Sequence, residues 1–189
     1  MNDKKRLILD AAITLFARDG FWNTSTSSIS KKAGVGTGTL FNHFSSKDAL
    51  INAVYVALKK ELHASIMATW QPEGELREKL LSAWHGVIQW ALRNPVHFDL
   101  MEQLRVSEMV SQETREAMTA EFSAFQMDMR LGVTEKVLVD LPVGYHLLAG
   151  WFQISAVITY LRSSEGHDQD VCSLIDNAFS AYWNGVAVG

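Results

Sequence analysis

The chain has few of the residues that cross-link a protein or interrupt its helices. It has one cysteine and three prolines in 189 residues, and it contains no internal repeat or low-complexity tract. The single cysteine, Cys172, excludes an internal disulfide and is compatible with a reducing cytoplasm. The first residues also lack the basic-then-apolar order of a signal peptide, so we expect a globular, cytoplasmic protein.

Patterns typical of catalytic and metal sites are missing as well. The histidines His63, His85, His97 and His146 fall on separate predicted helices, without the short spacing that places two histidines on one metal ion. No Ser-His-Asp or Cys-His arrangement can be argued from spacing, and no glycine-rich loop follows a strand. We therefore expect no enzyme, no metal site and no cofactor.

Positive charge is scarce outside the first third of the chain. The formal net charge is −4, but residues 1–60 hold nine Lys or Arg against four Asp or Glu, while residues 61–189 hold eight against seventeen. Such an asymmetry between the two parts indicates a nucleic-acid-binding head on an acidic body.

Full charges are absent between Asp140 and Arg162, a stretch long enough to suggest a membrane span. Polar residues within it, such as His146, Gln153 and Ser155, argue against lipid on all sides, and we expect no membrane. A helix that is apolar nearly all round is buried in a soluble protein. We expect its own domain to cover one face and a second subunit to cover the other.

Apolar residues do recur at helical spacing along almost the whole chain, which predicts an all-α protein of about nine helices. The clearest break between helices is the Gln-Pro-Glu-Gly segment at 71–74. Phe21 and Trp22 are expected to follow the first helix in a short loop and to cover the core of the head. The predicted helices cover residues 3–20, 25–33, 37–43, 47–70, 75–93, 96–107, 112–138, 143–163 and 168–183.

Near its N-terminus the chain carries the stretch STSSISKKAGVGTGTLFNHF, which begins at Ser25. Ser25 can cap a first short helix, and Gly34 can end it because glycine tolerates left-handed backbone angles. A second short helix over 37–43 turns Leu40 and Phe44 inward and leaves its polar residues outside. Two short helices joined by a glycine turn describe a helix-turn-helix DNA reader, although an ordinary helical hairpin would show the same pattern.

Lys47 follows this stretch, at the predicted start of a longer helix that Ser46 can cap. A cation in the first turn of a helix opposes the helix dipole, whereas Asp48 beside it suits the dipole. A phosphate group at this helix start would be attracted both by the free backbone N–H groups and by Lys47. A DNA contact would therefore explain a locally unfavourable residue.

The run TSSISKKAGVGTGTLFNHFSSKDAL resembles the N-terminal signature of the TetR family of bacterial transcriptional regulators. Its elements are a capped helix, Ala-Gly-Val, a Gly-Thr-Leu-aromatic step, an aromatic residue after a histidine, and Ser-Lys-acid; the match covers residues 5–60. The resemblance implies a nine-helix homodimer that binds a roughly palindromic operator in double-stranded DNA. It also implies release of the operator when a small-molecule effector binds the C-terminal domain.

Carried over by position, the resemblance implies contacts to DNA from residues 25–47. Phosphates would be approached by Ser25, Thr37, Phe41, His43 and Lys47, and base edges by Thr37, Thr39 and Asn42. Two residues depart from the family pattern. Phe41 stands where a tyrosine is usual and loses a hydroxyl that would bond phosphate, and Gly36 stands where a serine cap is usual.

A weaker resemblance links Tyr55, Trp90 and Phe152 to the aromatic pocket of multidrug-responsive members that control efflux. Further aromatic residues at helical spacing are candidates for the lining, and their faces suit planar, apolar ligands. These further candidates are Trp84, Phe98, Phe122, Phe125 and Trp151. For each of them a place in the core remains the alternative.

The sequence as a whole predicts a ligand-responsive DNA-binding transcriptional regulator, with repression as the first interpretation and a small apolar or aromatic molecule as the effector. Residues 1–48 are assigned to the helix-turn-helix domain, and residues 49–189 to a helical domain that binds the effector and forms the homodimer through its last two helices. The alternative is a helical lipophile-binding or carrier protein without specific DNA binding. The operator sequence, the regulated genes, the effector and the choice between repression and activation are left open.

Overall fold

The described part of the chain, residues 3–163 and 170–188 of a computed structural model, forms ten α-helices. Pairing of the β type in these residues is limited to one bridge between Leu138 and Ala187. The predicted all-α class is confirmed. The predicted loop at 164–167 and the predicted helix start at Asp168 lie outside the described residues. The helices are α1 (Asp3–Asn23), α2 (Thr26–Lys32), α3 (Thr37–His43), α4 (Lys47–Thr69), α5 (Leu76–Arg93), α6 (Pro95–Val106), α7 (Gln112–Glu121), α8 (Ser123–Thr134), α9 (Val143–Leu161) and α10 (Val171–Val186).

The helices group into two compact units. One comprises the residues up to Glu61 together with Asn94–Thr119, and the other comprises Leu62–Arg93 together with the residues from Ala120 onward. The chain therefore passes from one unit to the other at three points: within α4 after Glu61, between α5 and α6, and within α7 after Thr119.

The core of the first unit is built from apolar residues at the spacing that the sequence predicts. In α1 the fully buried residues include Ile8 and Phe16, and Ile29 of α2 and Leu40 of α3 are also buried completely. α1 packs against α2, α3 and α6. Leu7 is an exception, because it is 46% exposed although helical spacing groups it with the buried Ile8 and Ala11.

The end of α1 differs from the prediction. Gly20 adopts φ 77° and ψ 165°, but the helix resumes after this kink and runs to Asn23. Phe21 turns inward, with its ring centroid 5.3 Å from that of Phe16. Trp22 turns outward and is 80% exposed, so the expectation that it covers the core was wrong. A single residue with left-handed φ redirects the last turn, and helical spacing counted across it fails.

The core of the second unit centres on an aromatic cluster of α5 and α10. The ring of Trp84 lies 5.4 Å from Phe179 and 5.3 Å from Tyr182, centroid to centroid. The Tyr182 hydroxyl donates to the carbonyl oxygen of His146 in α9 over 3.1 Å. Burial raises the pKa of Tyr182 to about 12. This cluster holds α10 against α5 and α9 within the unit.

The predicted single helix over 112–138 is wrong. The chain leaves helical geometry at Phe122, where φ is −100° and ψ is 18°, so that α7 and α8 are separate helices. α8 then ends at Thr134, and Lys136 takes a left-handed φ of 59°. Because no proline or glycine stands at Phe122, the sequence carried no local signal for the first break.

The segment after α8 is tied to the end of the described chain. The amide of Val139 donates to the carbonyl of Val186 over 2.8 Å, and the amide of Val188 donates to the carbonyl of Val137 over 3.0 Å. His146 also donates from its Nε2 to the carbonyl of Val139 over 3.1 Å. The two ends of the α9–α10 hairpin are therefore bonded to each other.

None of the helices within the described ranges is long and apolar enough to cross a membrane. The uncharged stretch between Asp140 and Arg162 instead forms α9, whose buried residues include Ile154, Val157 and Ile158. The burial of these residues agrees with the expectation that one face of the helix is covered by its own unit.

Candidate functional site

The helix-turn-helix geometry follows from three local signals. Ser25 caps α2 by accepting a hydrogen bond from the Ser28 amide over 3.0 Å. Gly34 takes φ 67° in the turn, a conformation that side chains with a Cβ avoid. Leu40 and Phe44 then bury one face of α3. The turn and the burial together fix which residues of α3 point outward.

The outward surface of α3 is polar apart from one ring. Thr37 and Asn42 are exposed, and Thr39 and His43 are half-buried. Phe41 is also on this surface and is 45% exposed. A helix that buries its apolar side and presents hydroxyl and amide groups on the other has the chemistry for contacts to base edges and phosphates.

Three of the predicted phosphate contacts meet in one shallow groove of the first unit. Ser25, Phe41 and Lys47 all line it, although they come from the starts or middles of three different helical elements. The described residues of its lining carry one cation, no carboxylate and mainly hydroxyl or amide groups. They are Trp22, Asn23, Thr24, Ser25, Thr26, Phe41, Ser45, Ser46 and Lys47.

Lys47 lies in this groove at the first residue of α4. The Ser46 hydroxyl oxygen accepts the amide of Ala49 over 3.0 Å, which confirms the predicted cap. Ser25 and Ser46 each use the hydroxyl oxygen as an acceptor, so each hydroxyl proton can still be donated. A helix start, a cation and two hydroxyl groups are a suitable environment for a DNA phosphate.

The predicted effector contacts occupy several different environments. Trp84 is part of the aromatic core described above, and Trp90 is buried in α5. Trp151 is half-buried in α9. Trp84 therefore has the packing of a core residue, and none of these placements tests a role in ligand binding.

Among these candidates, Phe122 and Phe125 each pack edge-on against another ring and remain partly exposed. Phe122 meets the His63 ring edge-on with 5.0 Å between centroids, and Phe125 meets the Trp70 ring edge-on with 5.6 Å. Both phenylalanines are half-buried. They thus place an incompletely covered aromatic surface beside the end of α4.

Tyr55 belongs to the first unit, in α4, and has cationic neighbours. Lys59 Nζ and Arg115 Cζ each lie 5.8 Å from its ring centroid. Arg115 also donates to the carbonyls of Leu104 and Arg105 at the end of α6. Burial raises the pKa of Tyr55, and burial together with the nearby Arg105 charge lowers that of Lys59. This surrounding does not suit a cationic ligand.

Phe152 lies on an outward surface of the second unit. It is 55% exposed, and Tyr145 and Leu148 on the same helix are exposed too. Residues 145, 148 and 152 recur at the three- and four-residue spacing of one helix face. We call these three residues the α9 face. The sequence analysis missed Tyr145 and Leu148, although their spacing within an uncharged helix was a usable signal.

A helix-turn-helix with a polar second helix and a groove suited to phosphate defines a DNA-binding protein of the transcription-regulator class. Residues 8–54 match the model of the bacterial regulatory proteins of the tetR family. The N-terminal part of the chain is thus a tetR-family DNA-binding domain, and the comparisons support a TetR-family transcriptional regulator with a DNA-binding role.

Relatives and solved structures agree with this assignment. The chain is 26% identical over 155 residues to the HTH-type transcriptional regulator UidR of Escherichia coli K12. This alignment covers 72% of this chain and 76% of UidR. It is 26% identical over 117 residues to the uncharacterized HTH-type regulator YhgD of Bacillus subtilis, and the match spans 61% of each chain.

The fold extends over the whole length of related structures. A putative tetR family regulator from Shewanella sp. PV-4 is 29% identical, with a TM-score of 0.89 over 98% of this chain and 99% of that one. A TetR family regulator from Marinobacter aquaeolei VT8 has a TM-score of 0.90 at 21% identity, over 100% and 97% of the two chains. These relatives are transcription regulators, which fits a protein that is not an enzyme.

Proposed function

We propose that this protein is a cytoplasmic repressor that binds a palindromic operator as a homodimer and leaves it when a small apolar or aromatic effector binds. In this proposal residues 1–48 form the DNA-binding domain, and residues 49–189 bind the effector and form the dimer. The observation that carries the DNA part is the groove in which Ser25, Phe41 and Lys47 meet, beside the outward polar side of α3.

We assign to the DNA-facing residues the roles that the family resemblance implies for them. Ser25, Phe41, His43 and Lys47 approach phosphates and set the register of the protein on the duplex. Thr37, Thr39 and Asn42 are on the reading helix and approach base edges, with Thr37 also near the backbone. Phosphate contacts give affinity and salt dependence, while base contacts give sequence preference.

The test of this assignment is a salt titration of DNA binding. A duplex is first selected from a random pool by the wild-type protein, and its affinity is measured by fluorescence anisotropy at several salt concentrations. Lys47→Ala should weaken binding to all sequences and lower the slope of log affinity against log salt by about one unit, because one phosphate contact is lost.

Arg130→Ala is the matched control, since it removes an exposed cation of α8 in the second unit. It should leave both the affinity and the salt slope unchanged. A Lys47→Ala protein with altered sequence preference and an unchanged salt slope would contradict the division into phosphate and base contacts. Ligand binding by a wild-type protein that selects no duplex would favour a helical carrier protein instead.

The α9 face supports the homodimer. Tyr145, Leu148 and Phe152 expose apolar side chains on one side of α9, and such a contiguous patch favours an interface with another protein. We propose that α9 and α10 of two copies pack around a two-fold axis as four helices. Two heads would then address half-sites one DNA turn apart, about 34–36 Å, as paired helix-turn-helix domains do.

For the effector, we propose a contact with Phe122 and Phe125. Their rings pack on His63 and Trp70, and His63 belongs to α4, whose first residue is Lys47. A ligand that displaced these rings would act on the helix that carries the phosphate contact. It needs to bind the released state better by only ~1–3 kcal/mol to change operator affinity usefully.

The remaining effector candidates, Tyr55, Trp84, Trp90, Trp151 and Phe152, stay predictions. The experiment that addresses the effector is mass spectrometry of the compound that the purified protein retains. A retained planar or apolar compound that lowers affinity for the selected duplex would support release by an effector. A retained compound that leaves this affinity unchanged would count against it.

A further inference from the structure

Trp22 is the most exposed large apolar side chain of the described residues, at 80%. Its backbone is nonetheless held firmly. Gly20 redirects the last turn of α1, and the hydroxyl of Thr24, itself buried, donates to the carbonyls of Leu15 and Gly20 over 3.3 and 2.8 Å. The backbone on either side of Trp22 thus has a defined path, and its indole is presented to solvent.

Trp22 shares its groove with the proposed phosphate contacts. It lines the same depression as Ser25, Phe41 and Lys47. Phe41 is the second exposed aromatic ring in this groove, and its side chain offers no hydrogen-bond donor. The indole of Trp22 has both an apolar face and one N–H donor.

The composition of the groove decides which partner fits it. If the two rings were the buried core of an interface with another protein, the residues around them would be mainly apolar and poor in charge. The described lining instead supplies hydroxyl groups from Ser25, Ser45 and Ser46, one cation from Lys47, and no carboxylate. A deoxyribose-phosphate backbone matches this mixture, since its sugars are apolar in part and its phosphates accept hydrogen bonds and carry negative charge.

We infer that Trp22 is a further DNA contact, which lies against the sugar-phosphate backbone of the operator beside the phosphate held at Lys47. This inference rests on the proposed function of the groove. It extends the interface from the helix-turn-helix to the end of α1. A backbone contact of this kind carries no sequence information, so it adds affinity without changing preference.

The experiment compares wild type, Trp22→Ala and Met127→Ala on the duplex selected by the wild-type protein and on an unrelated duplex. Met127 is an exposed apolar side chain of α8 and serves as the matched control. We expect Trp22→Ala to weaken binding to both duplexes by roughly fivefold, in line with the loss of one well-placed interface aromatic. The salt slope should not change, because no ion pair is removed.

Two further measurements separate a contact from a folding effect. The melting temperature of Trp22→Ala should equal that of wild type, since an exposed side chain contributes little to the core. Trp22→Phe keeps a ring but loses the N–H donor, and it should bind with an affinity between those of wild type and Trp22→Ala. Addition of the selected duplex should change the tryptophan emission of wild type more than that of Trp22→Phe.

Wild-type affinity of Trp22→Ala for both duplexes would overturn the inference while leaving the proposed function intact, provided that Lys47→Ala still binds weakly. A loss confined to the selected duplex would also overturn it, because Trp22 would then read bases. A wild-type protein that binds no duplex would defeat the proposed function, and the inference with it.

Discussion

The outward surfaces of α3 and α9 differ in what they leave in contact with water. α3 buries Leu40 and exposes Thr37 and Asn42, so most of its outward groups are polar and can hydrogen-bond to water. α9 buries Ile154 and Ile158 but also exposes the ring of Phe152. Both helices lie on the surface, but α3 presents the single ring of Phe41 there, whereas α9 presents Tyr145, Leu148 and Phe152 together.

This difference indicates two modes of association. A polar surface costs little free energy when it is uncovered, which suits a surface that binds and leaves DNA. A contiguous apolar patch favours aggregation when it is uncovered, which suits a surface that stays covered by a second copy. We therefore expect the α3 surface to be occupied only on the operator and the α9 face to be occupied at all times.

The largest expected effect comes from placing a charge on the α9 face. Leu148→Asp should convert the dimer to monomers, because a carboxylate cannot be buried unpaired in an apolar interface. The two linked heads would be lost, and operator affinity should fall by roughly 100-fold or more. Sedimentation at micromolar concentration and anisotropy on the selected duplex measure the two effects.

Met127→Asp is the control for this prediction, since it adds the same charge at an exposed apolar residue of α8. A Leu148→Asp protein that sediments like wild type would show that the α9 face is not the interface. Phe179 would be an unsuitable site for such a test, because it is completely buried against Trp84. A charge there should unfold the second unit instead.

A smaller effect on DNA binding is expected from a change on the polar outward surface of α3. Thr39→Ala should change the ranking of operator sequences, with about 1–3 kcal/mol lost at the base pair it contacts. Affinity for unrelated duplexes should stay unchanged, in contrast to the uniform loss in Lys47→Ala. Selection from a random pool followed by sequencing measures the ranking, and an unaltered ranking would remove Thr39 from the base contacts.

The smallest expected effect is on the free energy of unfolding, and it comes from a hydrogen-bonded pair that lies on neither the α3 surface nor the α9 face. His97 Nδ1 lies 2.8 Å from Glu61 Oε2. That hydrogen bond raises the pKa of His97, burial opposes it, and the charges of Glu61 and Asp10 add to it. A histidine with a raised folded pKa stabilises the protein below its unfolded value of about 6.5, and this contribution is lost as pH rises through the folded value.

Wild-type unfolding free energy should therefore fall relative to that of His97→Asn as pH rises from about 6 to about 8, by less than about 1 kcal/mol for so exposed a pair. Urea unfolding of both proteins across this range measures the difference. Parallel pH profiles would mean that the pair does not contribute. Operator affinity at constant pH should be the same in both proteins, which separates this pair from both surfaces.

Local chemistry made the helix-turn-helix predictable. The caps at Ser25 and Ser46 and the turn at Gly34 each depend on one residue and its nearest neighbours, so the sequence carries the whole signal. The outward direction of Trp22 was not predicted, although it too is decided locally. Its direction depends on the backbone angle of Gly20, which residue identity permits but does not impose.

The body was less predictable because α9 is apolar nearly all round. Spacing alone could not tell which of its sides faces inward, so the exposure of Tyr145, Leu148 and Phe152 on one side was not predicted. In α10, helical spacing groups Ile175, Phe179 and Tyr182 on one side, and only the structure shows that α5 and α9 of the same unit cover this side. Which side of such a helix is buried depends on packing between segments that are distant in the sequence, and the spacing of apolar residues does not reveal it.

The bridge between Val137–Val139 and Val186–Val188 has a consequence for how the dimer forms. Its two amide bonds close the chain between them into a ring that contains α9 and α10. A ring closed at its base restricts how far the two helices can splay before a second copy arrives. In the proposed dimer, less conformational freedom would then be lost on association, so that the bridge would preorganise the interface.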